Sequence, residues 1–297
     1  MNFLKGLAIS LLSFLLFLSL SIFSSAFMLN NTLLDPDFVT AEINRLDMSS
    51  LAEEFLSEQI PQEESYIVEV LDKTITDLEP WIKEQVSTAI YTGYDYLMGT
   101  TQSLSLTISI EPVKDSLKEN LREALLASPP SELKGMSPAI IEQYSDEVFQ
   151  QLIGDIEPTF EFTESSLPPD VLAILEQVRQ GMDYYQLGYK ALIGFMLLLV
   201  LGIILISRQV RDITRRLGIP CLTYGAFGYV GIFVAKYFAE RQLPLLDVPA
   251  SLETWIPQFV NNLLAPLETF CLGLLIGGIV LIIVSIVYRR RQAPTEE

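Results

Sequence analysis

Residues 191–206 read ALIGFMLLLVLGIILI, and the ten residues that follow, 207–216, read SRQVRDITRR. The first stretch is uninterrupted in its apolar character and is typical of a helix that crosses the hydrocarbon core of a bilayer. The second holds four arginines, and clustered arginines in a short loop stay on the cytoplasmic side of a membrane. Together they predict a membrane span and the direction in which the chain crosses.

Three more apolar runs occupy residues 6–29, 219–238 and 269–288, so hydrophobic residues make up 50% of the chain. Three arginines at 289–291 follow the last run, and Lys5 precedes the first. We therefore predict an α-helical, multi-pass protein of the cell membrane with four transmembrane helices and both termini in the cytoplasm. Residues 24–26, Ser-Ser-Ala, would also suit a signal peptidase. Cleavage there remains an alternative to the uncleaved anchor that we favour.

Residues 30–185 form an acidic block between the first two runs, with 30 Asp and Glu against 8 Lys and Arg. Such a surface repels phosphates, so nucleic acid is excluded as a partner. The predicted organisation is an anchor at 1–29, an extracytoplasmic domain at 30–185 and a three-helix membrane region at 186–297. This last region would contain an Arg-rich cytoplasmic turn, an outer interfacial loop and a short cytoplasmic tail.

Periodicity predicts a mostly helical fold for the acidic block, together with a small two-stranded β element. Residues 103–110, SLSLTISI, alternate polar and apolar side chains, and the comparable stretch is TFEFT at 159–163. An isolated strand leaves its backbone unsatisfied, so we predict that these two stretches pair. Helices are expected after Asp35, Ser50, Pro112 and Pro138, and from 171 directly into the span at 191–206.

One further helical stripe runs from residue 66 to residue 97, with apolar side chains every three or four positions. Pro80 lies inside it. Proline lacks the backbone N–H and clashes with the preceding turn, so we predict two helices in series.

The chain contains no histidine, and both cysteines fall in apolar runs. These absences remove Ser–His and Cys–His nucleophile pairs and the usual zinc sites. We predict no catalytic residue, no cofactor and no metal site, and hence that the protein is not an enzyme. A hydrolase that uses carboxylates alone and calcium binding by the acidic surface stay open.

Four residues are candidates for interactions. Glu268 follows Pro266 at the end of a span, where we expect an interfacial position. Trp255 is expected to anchor a segment that lies along the outer membrane surface before the last span. Gly273 and Gly277 form a small-x-x-x-small pattern, for which we expect close contact within the bundle. A homo-oligomer through the membrane helices is the alternative.

These observations predict a non-enzymatic protein of the cell envelope that contacts the lipid bilayer. Its extracytoplasmic domain would serve in binding, sensing or scaffolding and would have a protein partner. The alternative is a small channel or transporter subunit that the exported domain gates or assembles.

Overall fold

The structure is a computed structural model, and it describes residues 2–51, 54, 65–130, 133–154, 156–207, 209–242 and 250–292. It is 84% helical. The chain divides into two compact units. The membrane unit comprises Met1–Phe38, Gly181–Asp247 and Ile256–Glu297, and the acidic unit comprises Val39–Gln180 and Val248–Trp255. The domain limits predicted at residues 29 and 185 stay predictions.

In chain order the elements are α1 (Asn2–Asn30), α2 (Pro36–Asn44), α3 (Ser65–Leu97), β1 (Ser105–Ser109), α4 (Glu111–Ala127), α5 (Pro138–Phe149), a π-helical turn (Gln150–Gly154), β2 (Thr159–Thr163), a 3-10 turn (Glu164–Ser166), α6 (Pro169–Ser207), α7 (Val210–Gln242), α8 (Ala250–Glu253) and α9 (Trp255–Gln292). The predicted helix 51–60 lies mostly outside the described residues.

Among the residues that the structure describes, four helices are long and apolar enough to cross a membrane, and they cover Gly6–Asn30, Pro169–Ser207, Val210–Arg241 and Trp255–Tyr288. Large apolar side chains such as Leu197, Phe227 and Ile276 point away from the protein. Water would not tolerate so much exposed apolar surface, whereas lipid chains would cover it. The prediction of an α-helical membrane protein with four candidate spans is confirmed.

The core of the membrane unit joins α1 to the second half of α6. Leu16 and Leu20 from α1 pack against Leu199 and Ile203 from α6, and all four side chains are buried. Further apolar side chains from α7 and α9 cover this cluster. The apolar stripe at 191–206 is therefore buried on one side and lipid-facing on the other.

Helices α7 and α9 approach each other so closely that only glycine fits at several positions. A Cβ atom on Gly225 would lie 2.6 Å from the Leu275 backbone nitrogen, and one on Gly228 would lie 2.5 Å from Cys271 Sγ. Such distances are shorter than any ordinary van der Waals contact, so the glycines allow the two backbones to meet. Close packing of the third span against a neighbour follows from these two positions.

Helices α7 and α9 begin earlier in the chain than the apolar runs at 219–238 and 269–288. Only 208–209 separate α6 from α7, so Arg211, Arg215 and Arg216 lie in the first two turns of a helix rather than in a loop. The predicted surface segment at Trp255 is likewise the first part of α9, which continues through Pro257 and Pro266. A proline in a first turn costs no helical hydrogen bond, and Pro266 removes one bond from a 38-residue helix.

The acidic unit contains the predicted pair of strands. β1 and β2 are antiparallel, with Leu106 opposite Phe162 and Ile108 opposite Phe160. Ile110 N–H extends the ladder by donating to the Pro158 carbonyl oxygen at 2.8 Å. The two alternating stretches are far apart in sequence and satisfy each other's backbone groups, which confirms the small two-stranded element.

Helices α3, α4 and α5 enclose the core of the acidic unit, and its buried side chains include Val70, Leu121, Leu125, Ile141 and Phe149. Between α3 and α4 lies a buried polar contact. Asn120, only 4% exposed, donates to Thr74 Oγ1 at 3.1 Å and to Asp77 Oδ2 at 3.0 Å. This amide fixes the two helices in register, because a buried polar group is costly unless it is paired.

The predicted break at Pro80 is wrong, because α3 runs without interruption from Ser65 to Leu97. Proline removes the bond to the carbonyl four residues earlier, at Thr76. Buried Thr74 and Leu78, which precede Pro80, and buried Tyr96, which follows it, keep the helix packed. Tertiary packing therefore outweighs the loss of one backbone bond.

Candidate functional site

The first predicted interaction residue, Glu268, forms an ion pair inside the membrane unit. Its Oε2 atom lies 2.5 Å from Nζ of Lys236, which joins α9 to α7. Both side chains are partly buried. Each charge compensates the other, so the pair lowers the cost of carrying two ionisable groups in apolar helices. The sequence contained the signal, since Lys236 and Glu268 stand at facing ends of consecutive spans.

Trp255, the second candidate, has a partner within the acidic unit. Its indole N–H donates to the backbone carbonyl oxygen of Glu42 at 3.0 Å. Glu42 is itself only 3% exposed, and its carboxylate accepts a hydrogen bond from Arg45. A tryptophan that anchors at a membrane interface usually directs its N–H to water or lipid headgroups. The interfacial role of Trp255 stays a prediction. Its indole N–H already donates to a backbone carbonyl of the acidic unit.

Gly273 and Gly277, the remaining candidates, do not bring α9 against a neighbour. Among the described residues, nothing lies within 4 Å of a Cβ built at either position. The described residues thus supply no such contact for this pair, and the expected packing through Gly273 and Gly277 stays a prediction. The glycine of α9 that packs is Gly278, where an added Cβ would lie 2.5 Å from the Leu222 backbone nitrogen. It lies on a different side of the helix from the predicted pattern. Homo-oligomerisation through Gly273 and Gly277 stays a prediction.

An aromatic cluster that the sequence reasoning only partly found lies at one end of the membrane unit. Phe23 of α1 stacks on Tyr189 of α6 with ring centroids 5.6 Å apart, and Phe270 of α9 lies 5.5 Å from Phe23. The Tyr185 hydroxyl donates to the Ala26 carbonyl oxygen at 2.7 Å. The tyrosines predicted at the interface thus also connect three helices, and the phenylalanines were missed because they sit within continuous apolar runs.

The β element of the acidic unit presents an apolar face that the described residues leave partly open. Paired residues of an antiparallel ladder point to the same side, so Leu106, Ile108, Phe160 and Phe162 share one face. Phe160 is 43% exposed and Phe162 is 46% exposed. Two phenylalanines on one face with nearly half of their surface exposed form an apolar patch on the acidic unit.

A polar cavity of about 530 Å³ lies where the chain leaves β1 and enters β2, and it is lined by Glu111, Lys114, Asp115, Lys118, Phe149, Gln150, Ile156 and Pro158. The protein itself engages both lysines. Lys114 donates to the Ile156 carbonyl oxygen, and Lys118 pairs with Asp146 at 2.8 Å while lying over the Phe149 ring. The cavity lining contains both acidic and basic side chains, so it offers polar contacts but has no dominant charge.

In the described part of the chain, no three His, Cys, Asp or Glu side chains cluster in a way that could hold a metal ion. The predictions of no enzyme activity and no cofactor stay predictions. Comparison with protein-family models, curated proteins and solved structures finds no match to this chain. The functional argument therefore rests on the surfaces described above.

Proposed function

We propose that this chain is a non-enzymatic, multi-pass protein of the cell membrane whose acidic segment at 30–185 lies outside the cytoplasm and binds a protein partner. Its role would be that of an envelope receptor or scaffold. The observation that carries the proposal is the open apolar face of the two-stranded sheet. Exposed aromatic side chains are the groups that most often anchor protein–protein contacts.

The sidedness in this proposal is supported by charge. The acidic segment has a large excess of carboxylates, while arginines cluster at 208–216 and 289–291 on either side of spans. Arginine-rich segments next to spans stay in the cytoplasm, and acidic segments impose little constraint on export. With four spans, both termini fall on the cytoplasmic side.

Sidedness can be tested with single cysteines, because the acidic segment has none of its own. We expect a membrane-impermeant maleimide to label Ser128→Cys in sealed cells, and to label Arg216→Cys only after permeabilisation. Labelling of Arg216→Cys in intact cells, or protection of Ser128→Cys there, would refute the orientation.

The chemistry of the partner follows from the surroundings of the sheet. Glu157, Glu161 and Glu164 lie beside Phe160 and Phe162 in the same segment. Although Glu161 points to the opposite face of the strand, carboxylates in the same segment as an apolar patch favour a partner that combines apolar side chains with lysine or arginine, because opposite charges speed encounter and fix orientation.

The test is site-specific photo-crosslinking in native membranes, with the photoreactive residue at Phe162 or, as the matched control, at the neighbouring Glu161. In a strand, consecutive side chains point to opposite faces, so only the first reports on the apolar face. We expect one discrete adduct from position 162 that Phe160→Ser abolishes. Equal adducts from both positions, or an adduct that survives Phe160→Ser, would refute docking on this face.

A channel or transporter subunit is the second candidate, and it rests on the Lys236–Glu268 ion pair between α7 and α9. Ionisable groups within spans often line ion or substrate paths. If the full-length protein in vesicles moves ions or solute, and Glu268→Gln changes that flux, then the scaffold proposal is wrong and the transport proposal is supported. Absence of flux under a voltage or pH gradient favours the scaffold.

A further inference from the structure

A second cavity lies in the membrane unit, at the end where α7 begins and α9 finishes. Its volume is about 290 Å³, and it is lined by Arg211, Arg215, Ile219, Ile282, Ser285 and Ile286. The two arginines are one helical turn apart on α7 and therefore share a face. The cavity is thus lined by two arginine and three isoleucine side chains.

The two arginines have no anionic partner in the described part of the protein. Of the described carboxylates, none lies within salt-bridge distance of Arg211 or Arg215, although Asp212 is adjacent in sequence and does not line the cavity. Among the described residues, both guanidinium groups therefore lack a carboxylate partner beside a concave surface. Arg211 is partly buried and Arg215 is exposed, so both can reach an anion that enters the cavity from outside the protein.

The floor of the cavity is fixed rather than loosely packed. Ser285, which is buried, donates its hydroxyl hydrogen to the Arg211 carbonyl oxygen at 3.0 Å and so connects α9 to the start of α7. The same two helices are held close one turn further on, where Gly218 meets Gly278 and Leu281. The wall that carries the arginines is thereby placed against the wall that carries the isoleucines.

The depth of the cavity matches a lipid headgroup. Arg211 is the second residue of the 33-residue helix α7, and Ser285 lies near the end of the apolar span Trp255–Tyr288. The charged half is thus at the end of both spans, Ile219 and Ile282 continue towards the apolar middle, and Ile286 lies next to Ser285 near the end of α9. Ile219 and Ile286 are exposed, as expected for side chains that touch acyl chains.

We propose that this cavity binds the phosphate group of an anionic phospholipid from the adjoining leaflet. Arg211 and Arg215 would hold the phosphate oxygens through charge-assisted hydrogen bonds, and the isoleucines would contact the first part of the acyl chain. Basic pockets between spans bind anionic headgroups elsewhere for the same reason. The proposal does not depend on which partner the acidic segment binds, nor on its sidedness.

The experiment uses the full-length protein in phosphatidylcholine vesicles that contain a few mole per cent of spin-labelled phosphatidylglycerol or, in parallel, spin-labelled phosphatidylcholine. Electron paramagnetic resonance measures the motionally restricted fraction of each lipid. We expect a preference for phosphatidylglycerol that Arg211→Gln/Arg215→Gln lowers by about 25-fold at most, since each cation near the surface contributes roughly fivefold in affinity. Arg216→Gln, in the same turn but outside the cavity, is the matched control and should leave the preference unchanged.

A second variant separates the site from general surface charge. Ile286→Trp keeps both arginines and adds bulk to the cavity wall, so it should also remove the preference. Loss of preference in the arginine pair and in Ile286→Trp, with Arg216→Gln normal, supports the site. Equal loss in Arg216→Gln, or none in the other two, overturns it, because diffuse charge would then explain the result. Displacement of the labelled lipid by an equal concentration of inorganic phosphate would also overturn it in favour of a free phosphate ligand.

Discussion

Gly225 of α7 gives the sharpest test of how the membrane unit is packed. The perturbation is Gly225→Ala, which adds one methyl group at the closest approach of α7 to α9. That methyl carbon would lie 2.6 Å from the Leu275 backbone nitrogen, 2.7 Å from the Cys271 carbonyl oxygen and 2.9 Å from Leu275 Cα. All three neighbours are backbone atoms, which cannot move aside by changing a rotamer.

The size of the effect follows from these distances. Ordinary contacts begin at 3.4 Å, so the helices must separate by about 0.8 Å at this point. A gap of that size forfeits roughly a quarter to a half of the dispersion energy of the surrounding contacts, and overpacking of a core typically costs about 1–3 kcal/mol. Alanine is the better helix former by about 1 kcal/mol, which offsets part of this loss. We expect a net destabilisation of up to about 2 kcal/mol.

The assay can use the two native cysteines. Cys271 is fully buried and Cys221 is half-buried, both inside the helix bundle. A maleimide that becomes fluorescent on reaction with a thiol therefore reports unfolding of the detergent-solubilised full chain on heating. Midpoints are compared at one heating rate, because unfolding of membrane proteins is often irreversible. Far-UV circular dichroism provides a second signal that does not depend on thiol access.

Gly277→Ala is the matched control, since an added methyl there meets nothing within 4 Å among the described residues. It gains helix propensity without a clash and should raise the midpoint slightly. The expected order of midpoints is Gly277→Ala, wild type, Gly225→Ala. The reasoning is refuted if Gly225→Ala melts at or above the wild type, or if Gly277→Ala falls as far as Gly225→Ala.

Three further predictions concern polar groups. Asn120→Ala should destabilise the acidic unit by about 2 kcal/mol, because it removes the donor to the buried Thr74 hydroxyl oxygen and the link to Asp77. Hydrogen exchange in α3 and α4 should rise, whereas the exposed Glu119→Ala should change neither the stability nor the exchange. Glu268→Gln should lower the thermal midpoint more than the double variant Lys236→Gln/Glu268→Gln does. The reason is that the single change leaves an unpaired ammonium group in an apolar setting. Equal midpoints for the two variants would contradict this. Hydrogen bonds from Ser50 hold the pKa of Asp47 below its usual range, so its contribution is present at neutral pH and is lost as the pH falls through that lowered pKa. Asp47→Ala should therefore speed hydrogen exchange at residues 48–51 at pH 7, and the difference from wild type should vanish once the pH falls below the lowered pKa of Asp47.

Strand pairing was predictable because both strands carry the same local signature. Residues 105–109 and 159–163 alternate apolar and polar side chains, and a single strand must find a partner for its backbone groups. The same reasoning could not find the exposure of Phe160 and Phe162. Alternation shows that one face is apolar, but whether another element covers that face depends on where the helices pack.

Local rules also failed at prolines and glycines. Pro80 was expected to divide a helix, yet the buried residues around it keep α3 continuous. Gly273 and Gly277 match a packing motif, yet Gly225, Gly228 and Gly278 make the close contacts. Residues of these two types act through their neighbours in space, and a sequence pattern does not say which side of a helix meets another helix.

The sequence by itself determined the four apolar helices, the acidic segment between the first two and the two strands that pair, because each depends on composition or on short-range periodicity. Only the tertiary structure decided that Lys236 meets Glu268, that Trp255 donates to Glu42, and that Arg211 and Arg215 face a cavity beside Ser285. These contacts join residues 32 to 213 positions apart along the chain, or depend on the rotation of one helix against another. Packing between helices sets that rotation, and no local pattern encodes it.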